Sequence, residues 1–127
     1  MLVDTLGLVW GVVVTSGRCA EGAGGKALLT KVGSQLTRLR VLWLDGGFEN
    51  RIEAWVAERY PFRVEIVKRP KGKQGWELLP QRWVVERTFG WLGRWRGLAK
   101  EYDFLPETTE MKIYLALSRL MLRRLTA

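Results

Sequence analysis

Residues 41–47 read Val41-Leu42-Trp43-Leu44-Asp45-Gly46-Gly47. The apolar run Val41–Leu44, with a β-branched and an aromatic residue in it, predicts a short central strand. It stops on an acid followed by two glycines, so the chain turns at once. Downstream, Glu49 to Tyr60 places Ile52, Trp55, Val56 and Arg59 on one side of a helix that Pro61 stops. Phe62 to Val67 then sets Phe62, Val64 and Ile66 against Arg63, Glu65 and Val67, a half-exposed strand. Strand, helix and strand in succession predict an α/β layered domain.

Upstream, Leu8–Val14 reads LVWGVVV, a β-prone apolar run. It is too short to span a bilayer, and the residues before it carry Asp4 and no Lys or Arg, unlike a signal peptide. Leu2-Val3 reads as the end of another strand, with Asp4-Thr5-Leu6-Gly7 as the turn of a hairpin. Ser16–Gly25 holds four glycines and reads as a loop. Lys26–Leu39 spaces Leu28, Leu29, Val32, Leu36 and Leu39 as an amphipathic helix, weakened by Gly33. Beyond the central unit, Lys68–Gly75 is an exposed basic loop. Helices follow from about Gln81 to Gly97 and from about Glu107 to Leu125, each after a proline. Trp10, Trp43 and Trp55 are expected in the core.

The 127 residues fit one domain. Histidine is absent, which excludes a Ser-His-Asp triad, a Cys-His dyad and any histidine-ligated zinc. Cys19 is the one cysteine, so no intrachain disulfide forms and a reducing compartment is expected. Lys and Arg number 21 against 13 Asp and Glu, a net charge of +8. Such a surplus on a small domain attracts polyanions, nucleic acid first among them. No membrane partner is expected.

Two acids stand out. Asp45 follows a strand directly, and in open α/β sheets sites gather outside the carboxyl ends of strands. The same residue also suits a turn or a helix cap. Glu86 falls, on a helical wheel, at the border between a core stripe of Val85, Phe89 and Leu92 and a second stripe of Trp83, Arg87, Trp91 and Arg94. A surface of alternating indole and guanidinium suits nucleic acid, because guanidinium pairs with phosphate and indole stacks on bases. Glu86 equally suits a solvent-side pair with Arg82, one turn earlier. In the same way Trp83, Trp91 and Trp95 suit packing on the last helix. Without histidine, Asp45 and Glu86 offer oxygen ligands, which select Mg²⁺ or Mn²⁺. Two such ions can clamp the attacking and leaving oxygens of a phosphodiester.

At these positions the sequence resembles a known family. WLDGGFE at 43–49 resembles the segment around the second catalytic Asp in DDE transposases of bacterial insertion sequences. RWVVERTFGWLGRWRGLAKEYDFLPETTE at 82–110 resembles their C-terminal signature around the catalytic Glu. IVKRPKGKQGWELLPQRW at 66–83, IYLALSRLMLRRL at 113–125 and VDTLGLVWGVVVTSG at 3–17 are similar to the connecting, closing and hairpin segments.

The resemblance implies an RNase H-like fold, a mixed β-sheet with helices on both faces. It implies two-metal cleavage and strand transfer of DNA at element ends and target, in the bacterial cytoplasm at the nucleoid. Asp45 and Glu86 would be catalytic metal ligands for Mg²⁺ or Mn²⁺. Arg82 would lie near the reacting strand, with Arg87, Arg94, Lys68, Arg69, Lys71 and Lys73 as further DNA contacts. A lysine common in related transposases seven residues after the Glu is replaced here by Gly93.

The first catalytic Asp of the family lies on a strand before the hairpin in which this chain begins, and Asp4 matches the hairpin turn instead. Residues 1–127 are therefore expected to be the C-terminal part of the catalytic domain, lacking its first strand and deficient in catalysis. A homodimer or another transposase fragment would be a partner. Two rival readings are a non-catalytic basic DNA-binding remnant and an unstable fragment with an exposed sheet edge.

Overall fold

The computed structural model describes residues 1–48, 52–68, 72, 80–100 and 103–127. Strands β1 (Leu2–Val3) and β2 (Val9–Gly11) form an antiparallel hairpin. Asp4 makes the turn: its Oδ1 accepts from the amides of Leu6 and Leu8, both at 2.9 Å. Gly7 closes it at φ +84°, a conformation that costs a glycine little and other residues more.

Helix α1 (Glu21–Val32) follows, then a single 3-10 turn at Gly33–Gln35. Strand β3 (Val41–Asp45) leads through a 3-10 turn, Gly46–Phe48, towards α2 (Ile52–Ala57). Strand β4 (Arg63–Val67) pairs with β3 in parallel, residue for residue from Val41 with Arg63 to Asp45 with Val67. The parallel crossover through a helix is the predicted α/β unit. Helices α3 (Pro80–Leu92) and α4 (Pro106–Leu125) complete the chain.

Among the described residues the strands make two separate two-stranded sheets, not one mixed sheet. They nonetheless share packing. One cluster joins Leu28, Leu29 and Val32 of α1, Leu42 of β3, Ile52 and Val56 of α2, and Phe62, with Leu2 and Val13 against it. A second joins Val12, Leu92 of α3, and Ala116 and Leu117 of α4. The segment after β2 serves both clusters because neighbouring residues of an extended chain face opposite ways, Val12 one way and Val13 the other. Gly11 lets this segment approach α1: a methyl there would come within 2.7 Å of Val32 Cγ1. Tyr114 of α4 fastens the second cluster to it, its hydroxyl accepting from the Val12 amide at 2.9 Å.

Several elements differ from expectation. The helix expected from Lys26 begins five residues earlier, inside the glycine-rich stretch, and stops at Val32. Its early start is fixed by packing: Gly25 lies so near Phe48 that a methyl there would be 2.9 Å from the ring. Its early stop coincides with Tyr60, whose ring covers Gly33 and whose hydroxyl donates to the Leu29 carbonyl at 2.9 Å. The helix expected over Glu49–Tyr60 is described from Ile52 to Ala57, Glu49 lying outside the described residues. The helix expected to reach Gly97 ends at Leu92.

Two of the three tryptophans expected in the core are not buried. Trp10 is 47% and Trp43 41% exposed. Each indole N–H instead finds a carboxylate, Asp4 for Trp10 at 3.4 Å and Glu65 for Trp43 at 2.9 Å. The Trp43 bond, with Arg63 beside it, holds the Glu65 carboxyl below its usual range. Trp55 packs half-buried against the first cluster, beside Tyr60.

Candidate metal and nucleic-acid site

Asp45 is the last residue of β3, where the strand carries it to the carboxyl end of the parallel pair, and it is exposed. Lys68, also exposed, leaves β4 immediately after Val67, the partner of Asp45 across the sheet. The first cation of the basic loop thus emerges beside the acid. Arg69, Lys71 and Lys73 lie outside the described residues.

A third group at this end escaped the sequence reading. The carboxylate of Glu21, on the first turn of α1, packs directly against Gly47, two residues beyond Asp45. No local pattern announces this; it follows from α1 lying over the Gly46–Phe48 turn.

Glu86 sits on α3, but that helix is rotated relative to the expected wheel. Its buried positions are Thr88, wholly inaccessible, and Leu92, whereas Phe89 is 57% exposed and Val85 only half-buried. A hydroxyl faces the interior because Thr88 Oγ1 donates to the Val84 carbonyl at 2.8 Å, so it is satisfied within its own helix. Two residues along a helix are about 200° apart. Glu86 therefore lies on the exposed side, nearly opposite Thr88, and not at a border. The principal packing of α3 is on α4.

The same rotation carries Arg87 and Trp91 inwards, both half-buried. The Arg87 guanidinium lies 4.8 Å from the Trp91 ring centre and 5.6 Å from that of Trp83. Arg124 of α4 also lies 4.8 Å from Trp91, and Arg119 lies 5.6 Å from Trp95. Trp95 packs on the second cluster, so the expected contact of this tryptophan group with the last helix is present. Arg94 lies beyond the end of α3 and is exposed. The side chain of Arg82 lies outside the described ones.

The donor set fits a hard metal ion in kind but not in number. Asp45 and Glu86 offer carboxylate oxygens, which suit Mg²⁺ or Mn²⁺. Among the described residues, however, no three Asp, Glu, Cys or His side chains are grouped to hold a metal. Two carboxylates do not complete the cage that a pair of ions requires.

Asp45 thus ends a parallel strand, Glu86 lies on the exposed side of a helix, and arginines lie over tryptophans between α3 and α4. Residues 1–121 match the family described as Transposase DDE domain, and the chain belongs to that family. Membership makes DNA transposition its process and DNA its partner. Neither the curated proteins nor the solved structures yield a match. Among the described residues no helix is long and apolar enough to cross a membrane.

Proposed function

We propose that this chain belongs to an RNase H-like catalytic domain that cuts and joins DNA during transposition. In this reading Asp45 and Glu86 are two of the carboxylate ligands for Mg²⁺ or Mn²⁺, and a further carboxylate must be supplied. The observation that carries the reading is the position of Asp45, exposed at the carboxyl end of β3 in a chain of the transposase DDE domain family. When bound, the metal ions would stabilise charge on the phosphodiester. The chain's own contribution is to hold the DNA. Lys68, Arg69, Lys71, Lys73, Arg82, Arg87 and Arg94 are proposed to pair with phosphates along the strand. A second copy, or another transposase fragment, would be a partner through sheet edges that carry no further strand among the described residues.

Duplex DNA should bind with little sequence preference and steep salt dependence. Several phosphate contacts imply a loss of roughly ten-fold or more in affinity between low salt and above-physiological salt. A fluorescence-anisotropy titration with labelled duplex measures this, and a flat salt response would remove the proposed phosphate contacts.

A second reading, a basic DNA-binding domain without catalysis, is favoured by the missing third acid among the described residues. Metal binding separates the two. Mn²⁺ should bind weakly, and Asp45→Ala should abolish what binding there is. Calorimetry giving the same Mn²⁺ isotherm for Asp45→Ala as for the parent excludes Asp45 from the site; no Mn²⁺ heat in either supports the second reading.

A further inference from the structure

Arg87 and Arg124 converge on the hairpin turn. A methyl on Gly7 would lie 2.6 Å from Arg87 Nη2 and 3.3 Å from Arg124 Nη1, so both guanidinium groups border the same glycine. Both also lie 4.8 Å from the centre of the Trp91 ring. Arg124 Nη1 donates to the Leu6 carbonyl at 3.2 Å. Arg87 Nε is buried and has no hydrogen-bond partner. Neither arginine has an ion pair among the described residues. The acid of this turn, Asp4, spends its carboxylate on the amides of Leu6 and Leu8 and on the Trp10 indole.

Two cations held side by side against an aromatic ring repel each other, and a partly buried guanidinium without hydrogen bonds is costly. An anion with several acceptor oxygens set against the outer guanidinium nitrogens relieves that repulsion, and the planar guanidinium fork matches phosphate geometry. We propose that Arg87 and Arg124, which converge beside Gly7, form a phosphate subsite, with Trp91 as the platform that fixes both guanidinium groups. The proposal rests on the DNA-binding reading above and adds to it a contact on α4 and the hairpin turn that the sequence did not single out. Its ligand chemistry is a phosphate group, from the DNA backbone or free in solution.

The test uses the full chain and the variants Arg87→Gln and Arg124→Gln, which keep much of the side-chain stem and remove the charge. Thermal melting by circular dichroism verifies that they fold. Inorganic phosphate is expected to raise the parent's melting midpoint above that seen in chloride of equal ionic strength, because a ligand of the native state stabilises it. That rise should disappear in Arg87→Gln and Arg124→Gln. In the duplex arm, each variant should lower the slope of log affinity against log salt by up to about one unit, since the two arginines share one phosphate. Loss of the phosphate response with an unchanged duplex slope assigns the subsite to free phosphate. An unchanged phosphate response together with an unchanged duplex slope in both variants overturns the subsite, while duplex binding itself would still support the function proposed above. Arg124→Lys adds a readout of geometry: it should keep the salt slope and lose affinity, since an ammonium keeps the charge but not the fork.

Discussion

Ile52→Ala is expected to lower the unfolding free energy by about 2–5 kcal/mol, the range for deleting a fully buried aliphatic side chain. Ile52 is 1% exposed and sits where α1, β3 and α2 meet. The loss combines the transfer energy of the removed carbons with the cavity they leave, and a methyl on Gly25 would lie only 3.1 Å from Ile52 Cδ1, which marks a site with little slack. Against a total stability of about 5–15 kcal/mol for a typical domain, one such change removes a large share. Leu117→Ala, also 1% exposed, makes the same test in the second cluster. Leu115→Ala, at a position 70% exposed on the same helix, should stay within about 0.5 kcal/mol of the parent.

Urea unfolding followed by circular dichroism measures all three. The two clusters share the segment after β2, tied to α4 through Tyr114 and to α1 through Lys31, whose ammonium reaches the Val12 carbonyl at 3.2 Å and the Glu110 carboxylate. Both core variants should therefore shift a single common transition. Two separate transitions, one moved by each variant, would show that the clusters unfold independently. An Ile52→Ala curve that overlays the parent would show that Ile52 is not a core residue.

Elements whose signal is local were legible in the sequence. The run Val41–Leu44 and the alternation Phe62–Val67 correspond to β3 and β4, and Pro106 opens α4. Asp4 and Gly7 announced the turn they make. Features decided by packing were not legible. The start of α1 lies in a stretch that glycine content marks as loop, and the approach of Phe48 and Ile52 to Gly25 is a long-range contact that no local pattern shows. Periodicity put Phe89 in the core because it weighs hydrophobicity, whereas the interior position went to Thr88, which satisfies its hydroxyl on the preceding turn. That one rotation also misplaced Glu86 and hid the approach of Arg87 to Arg124. The place of Asp45 at the end of a strand was legible from the apolar run before it. Glu21 was not, because its approach to Gly47 depends on a helix laid across the turn.

The chain alone is expected not to nick supercoiled plasmid in Mg²⁺ or Mn²⁺. Uncatalysed phosphodiester hydrolysis is so slow that partial positioning cannot bring it into range. Holding two ions takes more ligands than Asp45 and Glu86 provide, and among the described residues no three acids are grouped to hold a metal. Asp4 does not fill the gap, since its carboxylate is engaged by the turn amides. The sheets suggest where a further acid could enter. The hairpin and the β3–β4 pair share no hydrogen bonds, yet Leu2 of β1 packs on the same cluster that holds Leu42 of β3. On the function proposed above, the further acid would come from a strand lying beside these sheets. Extending the chain at its N-terminus by a β-strand that carries an Asp should therefore confer nicking that needs Mg²⁺ or Mn²⁺ and is lost in Glu86→Gln. The comparison takes the present chain, the extended chain, and the extended chain with Glu86→Gln through one plasmid-relaxation gel with and without chelator. Metal-dependent nicking by the present chain, abolished by Glu86→Gln, would falsify the claim that the acids present are too few, and Glu21 and Asp4 would then be the next carboxylates to replace.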